Sequence, residues 1–157
     1  MANKSERFRL AAQALAVARI RNRSGIPILV EGKKDRRALQ VLDFTGPVEL
    51  VNRGWSMERL AGWFVEHLQN VNPKDGKAPL ILLMDWDRTG GRLQSDLRRR
   101  LQALDIQVDE ELRKVLSKVL KPETRVVESL YSMVDELLEQ IESFDYLEEE
   151  QASYSSI

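Results

Sequence analysis

The run Leu80-Ile81-Leu82-Leu83-Met84-Asp85-Trp86-Asp87 constrains this chain more than any other segment. Five apolar residues in succession read as a strand buried on both faces, which implies a parallel sheet covered by helices. Two carboxylates one residue apart then fall at the strand's carboxyl end, where open α/β sheets hold their ligands. Anions held that close repel each other, and a hard divalent cation such as Mg²⁺ relieves the repulsion. Capping of the next helix or a loop hydrogen bond would use acids here too, but would not explain why there are two.

A second segment has the same form. Ile26-Pro27-Ile28-Leu29-Val30-Glu31-Gly32-Lys33-Lys34-Asp35 is a short apolar strand ending on an acid, then a glycine and two lysines. Parallel strands of one sheet bring their carboxyl ends to one edge, so Glu31 is expected beside Asp85 and Asp87. Three carboxylates and Lys33 at one edge suit Mg²⁺ or Mn²⁺ holding a phosphate, with the lysine adding positive charge.

The ordered pair, Glu31-Gly32 and then Asp85-Trp86-Asp87-Arg88-Thr89-Gly90, resembles the Toprim domain. That module is shared by type IA topoisomerases, bacterial-type primases and the ribonuclease that matures 5S ribosomal RNA. The resemblance covers residues 24–122 and looks most like the small stand-alone Toprim proteins of archaea. It implies an α/β fold: a single Toprim (Rossmann-like) domain with a mostly parallel sheet of about four strands and flanking helices. It also implies that Glu31 acts as general acid or base, or as a further metal ligand, while Asp85 and Asp87 bind Mg²⁺.

Composition bounds the alternatives. The 157 residues suffice for one core, and 43% hydrophobic with 31% charged residues is ordinary for a soluble protein. There is no cysteine, which excludes disulfides, thiolate zinc sites and cysteine nucleophiles. No apolar run reaches the length of a membrane span, and the alanine-rich N-terminus carries Glu6 and Gln13 where a signal peptide would not. A cytoplasmic protein with no membrane partner is expected. The net charge of −1 hides a division: residues 1–104 hold 19 Lys or Arg against 11 Asp or Glu, and residues 105–157 hold 5 against 14. Basic charge thus accompanies the strand-end motifs, as expected of a surface that meets phosphates.

The pattern along the chain predicts an N-terminal helix within residues 1–23, capped by Ser5. Strands are expected at 26–30, 48–51, 80–84 and, weakly, 106–108. Helices should follow at 34–44, 57–68, 89–103 and 109–120, with Met57, Leu60, Ala61, Phe64 and Leu68 forming one apolar stripe. After Pro122 a long helix is expected over 123–145. Its seam of Val127, Leu130, Val134, Leu137, Ile141 and Phe144 suits docking on the sheet or the first helix, or a homodimer contact. Residues 146–157, with three consecutive glutamates, read as a flexible tail.

The expected partner is RNA or DNA. Lys33 and Arg53 are the candidate phosphate contacts, and Arg88, Arg92, Arg98, Arg99 and Arg100 a basic stripe whose members cannot all face one ligand. Trp55, in a loop that the Toprim family places near the metal edge, could stack on a base. His67 is the single histidine and Tyr131 fits a helix surface. Strand passage is not expected, because in the topoisomerases the nucleophile resides in separate domains. The expected activity is Mg²⁺-assisted phosphodiester cleavage by Glu31, Asp85, Asp87 and Lys33. A non-catalytic, metal-dependent nucleic-acid-binding module is the main alternative. The Asp-x-Asp-x-Thr pattern also resembles haloacid-dehalogenase phosphatases, with Asp85 as nucleophile, but only Lys121 offers the later lysine and Glu31 is left unexplained.

Overall fold

Three prolines bound the sheet. In the computed structural model, which describes the backbone of residues 2–155 and side-chain surroundings for residues 2–146, strand β1 (Ile28–Val30) starts directly after Pro27. Strand β2 (Val48–Leu50) starts after Pro47, and β3 (Ile81–Leu82) two residues after Pro79. Proline has no N–H to offer a ladder, but its carbonyl still accepts: Ile28 N–H donates to Pro47 O at 3.1 Å, and Ile81 N–H to Pro27 O at 3.0 Å. All pairing is parallel, in the order β2-β1-β3, with Ile28 opposite both Val48 and Ile81.

This overturns the expected fold class. The protein is mostly helical around a small three-stranded sheet, and a four-strand Rossmann-like core is not formed. Residues 106–108, expected as a fourth strand, do not pair, and a single bridge, Ile81 with Asp109, follows them. There Asp109 N–H donates to Leu80 O and Leu82 N–H to Asp109 O. Asp109 then turns into the next helix, its Oδ1 accepting from Glu111 N–H at 2.9 Å, which ends the pairing.

Residue alternation sorts the helices onto two faces. Ile28, Val30, Ile81 and Leu83 join one core with helices α1 (Lys4–Arg23), α2 (Lys33–Val41), α5 (Glu111–Val119) and α6 (Val134–Ser155). Leu29, Leu80, Leu82 and Met84 face helices α3 (Met57–His67) and α4 (Arg88–Ala103), with Leu60, Phe64, Leu97 and Leu101 packed there. Each fully buried Leu, Ile or Phe stabilises by about 1.5–3 kcal/mol relative to exposure.

Helix α1 is capped two residues before the expected cap: Asn3, not Ser5, accepts from Glu6 N–H at 2.9 Å. It also holds arginines that the charge division counts as basic surface. Arg19 is buried, donates to Leu42 O and pairs with Asp145 of α6. Arg21 is buried and bridges Asp75 and Asp109. These charges hold loops and helices together, so they are not available to a ligand.

The expected helix 123–145 is not continuous. Residues Val127–Met133 form a 3-10 helix, and only then does α6 begin. The reason lies in contacts to the acidic motif, described below, that pin residues 124–127 in an irregular turn. Helix α6 docks on α1 through Leu137 and Ile141. It continues to Ser155, through most of the stretch expected as a tail, where Leu147, Glu148 and Ala152 are good helix formers and no glycine or proline intervenes. Ser156 and Ile157 lie outside the described residues. No described helix is long and apolar enough to cross a membrane.

Candidate functional site

Because β1 and β3 run parallel side by side, their exits adjoin. Glu31 leaves β1, and Gly32 with its extended backbone starts α2. Leu83 and Met84 carry the chain on from β3 to Asp85, whose backbone N–H donates to Glu31 Oε2 at 3.0 Å. The two strand-end motifs are therefore joined by a hydrogen bond, as their order in the chain leads one to expect.

Asp85 is held from three sides. Its Oδ1 accepts from Val127 N–H at 2.7 Å. Its carbonyl accepts from Arg113 Nη2 at 2.9 Å, while Arg113 Nε reaches Met84 O at 3.2 Å. The carbonyl also lies against Gly90: a Cβ there would stand 2.0 Å from Asp85 O, so only glycine lets the first turn of α4 approach this loop. Between the acids, Trp86 points inward and is 6% exposed. Its N–H donates to Arg125 O at 2.9 Å and its Nε1 to Thr124 O at 2.7 Å. Trp86 and Asp85 together pin residues 124–127.

Asp87 has a different task from the one expected. Its Oδ1 accepts from Gly90 N–H at 2.7 Å, making it the N-cap of α4. It does not line the cleft into which Glu31 and Asp85 open. That cleft, of about 470 Å³, is lined instead by Glu31, Lys33, Asp35, Asn52, Asp85 and Glu128, among others. Asp35 and Glu128 were not anticipated. Asp35 is buried in the first turn of α2 and accepts from Gly32 N–H at 3.0 Å. Its spacing after Gly32 was a readable capping signal; Glu128 had no local signal at all.

The electrostatics are those of crowded anions. Burial, followed by the neighbouring Asp85 carboxylate, pushes Glu31 up to about 7. Burial also raises Asp35, with the charges of Asp85 and Glu128 adding to it. Arg113 lies behind the acids, its own pKa lowered by burial and supported by Glu110, Asp87 and Glu31. Among the described residues, none of Glu31, Asp35, Asp85, Asp87 and Glu128 has an ion-pair partner.

The expected cation contacts divide. Lys33 is exposed and lines the cleft. Arg53 does not: it pairs with Glu49 at 2.8 Å, donates to Leu50 O and lies over the rings of Trp55 and Trp63. Trp55 is thereby in contact with both Arg53 and Arg59 and does not line the cleft. Arg88 and Arg92 are exposed on α4, but Arg98, Arg99 and Arg100 are engaged by Glu110, Asp96 and Glu58. His67 stacks on Trp63, and Lys121 lies outside the cleft lining. With Asp87 capping a helix and no lysine from the later chain in the cleft, the arrangement lends nothing to the dehalogenase-type reading.

Among the described residues, no three of His, Cys, Asp and Glu converge closely enough to enclose a metal ion. The three-carboxylate set of Glu31, Asp85 and Asp87 is accordingly not assembled. Mg²⁺ does not demand such a cage, since it retains several waters and binds through one or two carboxylates plus substrate phosphates. Glu31 and Asp85, adjoining, without counter-charge and open to a cleft, fit that smaller requirement.

No family profile matches the chain. It is 30% identical over 118 residues to a UPF0292 protein of Methanosarcina acetivorans, covering 74% of each chain. A UPF0292 protein of Thermoplasma volcanium is 32% identical over 89 residues, covering 57% of this chain and 67% of that one. A solved structure of a protein from Aquifex aeolicus shares 27% identity and a TM-score of 0.55, over 74% of this chain and 94% of that chain. On the extent and identity of these matches, the chain belongs to the UPF0292 family.

Proposed function

We propose that the protein is a Mg²⁺- or Mn²⁺-dependent nuclease that cleaves a phosphodiester in RNA or DNA. The observation that carries the reading is the Asp85 N–H to Glu31 hydrogen bond at the shared exit of two parallel strands. It leaves two carboxylates without counter-charge in an open cleft beside Lys33. The likeness of Glu31-Gly32 and Asp85-Trp86-Asp87 to Toprim motifs supports it, although the sheet is smaller than that likeness implies.

A divalent ion bound there would neutralise charge on the scissile phosphate. Glu31 and Asp85 would hold it. If Asp85 alone held the ion, Glu31 would instead be the group placed to take a proton at Oε from the attacking water. Lys33 offsets phosphate charge, and Arg113 keeps the Asp85 main chain in place. Asp87 sets the start of α4 against that loop.

The second reading, a metal-dependent nucleic-acid-binding module without catalysis, is favoured by the absence of a third converging acid among the described residues. Labelled structured RNA and DNA, incubated with wild type and Glu31→Gln with and without Mg²⁺ or Mn²⁺, separate the two. The nuclease reading requires metal-dependent cleavage that Glu31→Gln eliminates while binding persists. Binding without cleavage in wild type under either metal selects the module.

A further inference from the structure

The cleft that holds the acids does not end at α2. A second hollow of about 350 Å³ is lined by Lys34, Arg37, Glu128, Ser129, Tyr131 and Ser132. Lys34 and Glu128 line both, so the two form one groove along the contact between α2 and the 3-10 helix. We infer that a single-stranded nucleic-acid segment lies in this groove, with Lys34 and Arg37 on its phosphates and Tyr131 against a base. The inference rests on the phosphodiester reading above and supplies the path by which a strand reaches Glu31 and Asp85.

Three features point to a single strand. First, the cations are available. Lys34 and Arg37 are exposed, and neither is in an ion pair among the described residues; Arg37 has only the neutral Tyr131 hydroxyl, at 3.4 Å, and ring as side-chain partners there. Three of the five arginines expected to form the binding stripe are in the opposite state, and the other two, Arg88 and Arg92, are exposed but line neither hollow. Arg98, Arg99 and Arg100 each hold a carboxylate, and so does Arg53. A phosphate on those arginines would have to displace an acid; on α2 it would not.

Second, the groove carries an aromatic surface. Tyr131 is 44% exposed, and the Arg37 guanidinium lies 5.0 Å from its ring centroid. Cations that track a backbone, interleaved with a ring that accepts a base, make the usual platform for single strands. In a duplex the base faces are stacked on one another, and Tyr131 could not reach them. Third, Ser129 and Ser132 line the same wall and add short polar groups. Glu128 lines both hollows at the seam and carries the one charge there that a passing phosphate must tolerate.

The test is fluorescence anisotropy with short labelled single strands of RNA and DNA and the duplex of the same sequence, in EDTA and across a salt series. Lys34→Ala with Arg37→Ala should weaken single-strand binding roughly tenfold or more and flatten the salt slope by about 1.4. Tyr131→Ala should cost roughly tenfold, and Tyr131→Phe, which keeps the ring, should bind as wild type. Glu128→Gln should tighten binding several-fold, and Lys118→Ala on α5, which lines neither hollow, should change nothing. The polymer bound more tightly by wild type identifies the strand. Unchanged affinity in the double variant, or duplex bound as tightly as single strand, overturns the inference.

Binding in EDTA separates this inference from the enzyme reading. A wild type that binds through Lys34 and Arg37 but cleaves nothing with either metal removes the nuclease and retains the groove. Metal-dependent cleavage with full binding in the double variant removes the groove and retains the nuclease.

Discussion

Asp85 donates its backbone N–H to Glu31 Oε2 at 3.0 Å, so the acid at the end of one strand is fixed to the main chain at the end of its neighbour. This bond orients Glu31 without giving it a positive partner. Burial and the Asp85 carboxylate then hold it protonated up to about 7. A group that exchanges its proton near neutrality, fixed in direction and open to a cleft, is what proton transfer to or from a substrate requires.

The same shift makes stability depend on pH. Below the ordinary value of 4.5 Glu31 is neutral in both folded and unfolded chains. As pH rises through about 7 the folded protein must accept a charge that the unfolded chain took on earlier, and stability falls. Asp35, also raised, acts in the same direction. Glu31→Gln keeps an oxygen for the Asp85 N–H and removes the charge. Urea unfolding should find it more stable than wild type by about 1–2 kcal/mol at pH 8, with the gap closing by pH 5; an open cleft screens part of the full shift. An equal gap at both pH values would refute the buried-charge account.

Mg²⁺ or Mn²⁺ should raise the melting temperature of the wild type, and more at pH 8 than at pH 6, because a protonated Glu31 is a poor ligand. At a hundredfold excess over Kd the stabilisation is about 2.7 kcal/mol. Asp85→Asn should abolish the response, while Asp87→Ala, at a helix cap outside the cleft lining, should reduce base stability by about 1 kcal/mol and retain it. A metal response that survives Asp85→Asn would place the ion elsewhere.

What the chain made legible was local. Unbroken apolar runs ending in acids marked the two strand exits, and of the stripe Met57, Leu60, Ala61, Phe64 and Leu68 all but the partly buried Met57 are buried. The extent of the sheet was not legible: residues 106–108 do not pair, and Asp109 makes one bridge before turning into α5. Nor could the partners of the acids be read. Arg113 and Val127 reach Asp85 from 28 and 42 residues away, and no periodicity reports such contacts. Asp87 carried two meanings in sequence, ligand and cap, and the bond from Gly90 N–H to its Oδ1 shows the cap.

Arg113 donates to the carbonyls of Met84 and Asp85 from a half-buried position. Arg113→Met retains much of the apolar stem and removes both bonds. Two buried acceptors then lose charge-assisted donors, which should cost about 2–4 kcal/mol in urea unfolding. Arg113→Lys should recover part of this, since an ammonium can reach one carbonyl but not fork between two. Equal losses in both variants would mean that the stem, not the fork, matters.

Two glycines in helices provide an internal contrast. Gly62 in α3 has nothing within 4 Å of the position a Cβ would take, whereas a Cβ on Gly90 would meet Asp85 O at 2.0 Å and Asp85 C at 2.6 Å. Neither has a left-handed backbone, so helix propensity and space alone decide. Gly62→Ala should stabilise by about 0.5–1 kcal/mol, through reduced freedom of the unfolded chain. Gly90→Ala must push the main chain of Asp85 away from α4 or unwind the first turn, and should destabilise by about 2–4 kcal/mol. Moving the Asp85 main chain also lengthens its bond to Glu31. The Gly90→Ala protein should therefore lose metal response at temperatures where it is still folded, read by circular dichroism beside the thermal shift. If Gly90→Ala retains both stability and metal response, the loop is not held by that contact, and the fixed geometry ascribed to Glu31 and Asp85 fails with it.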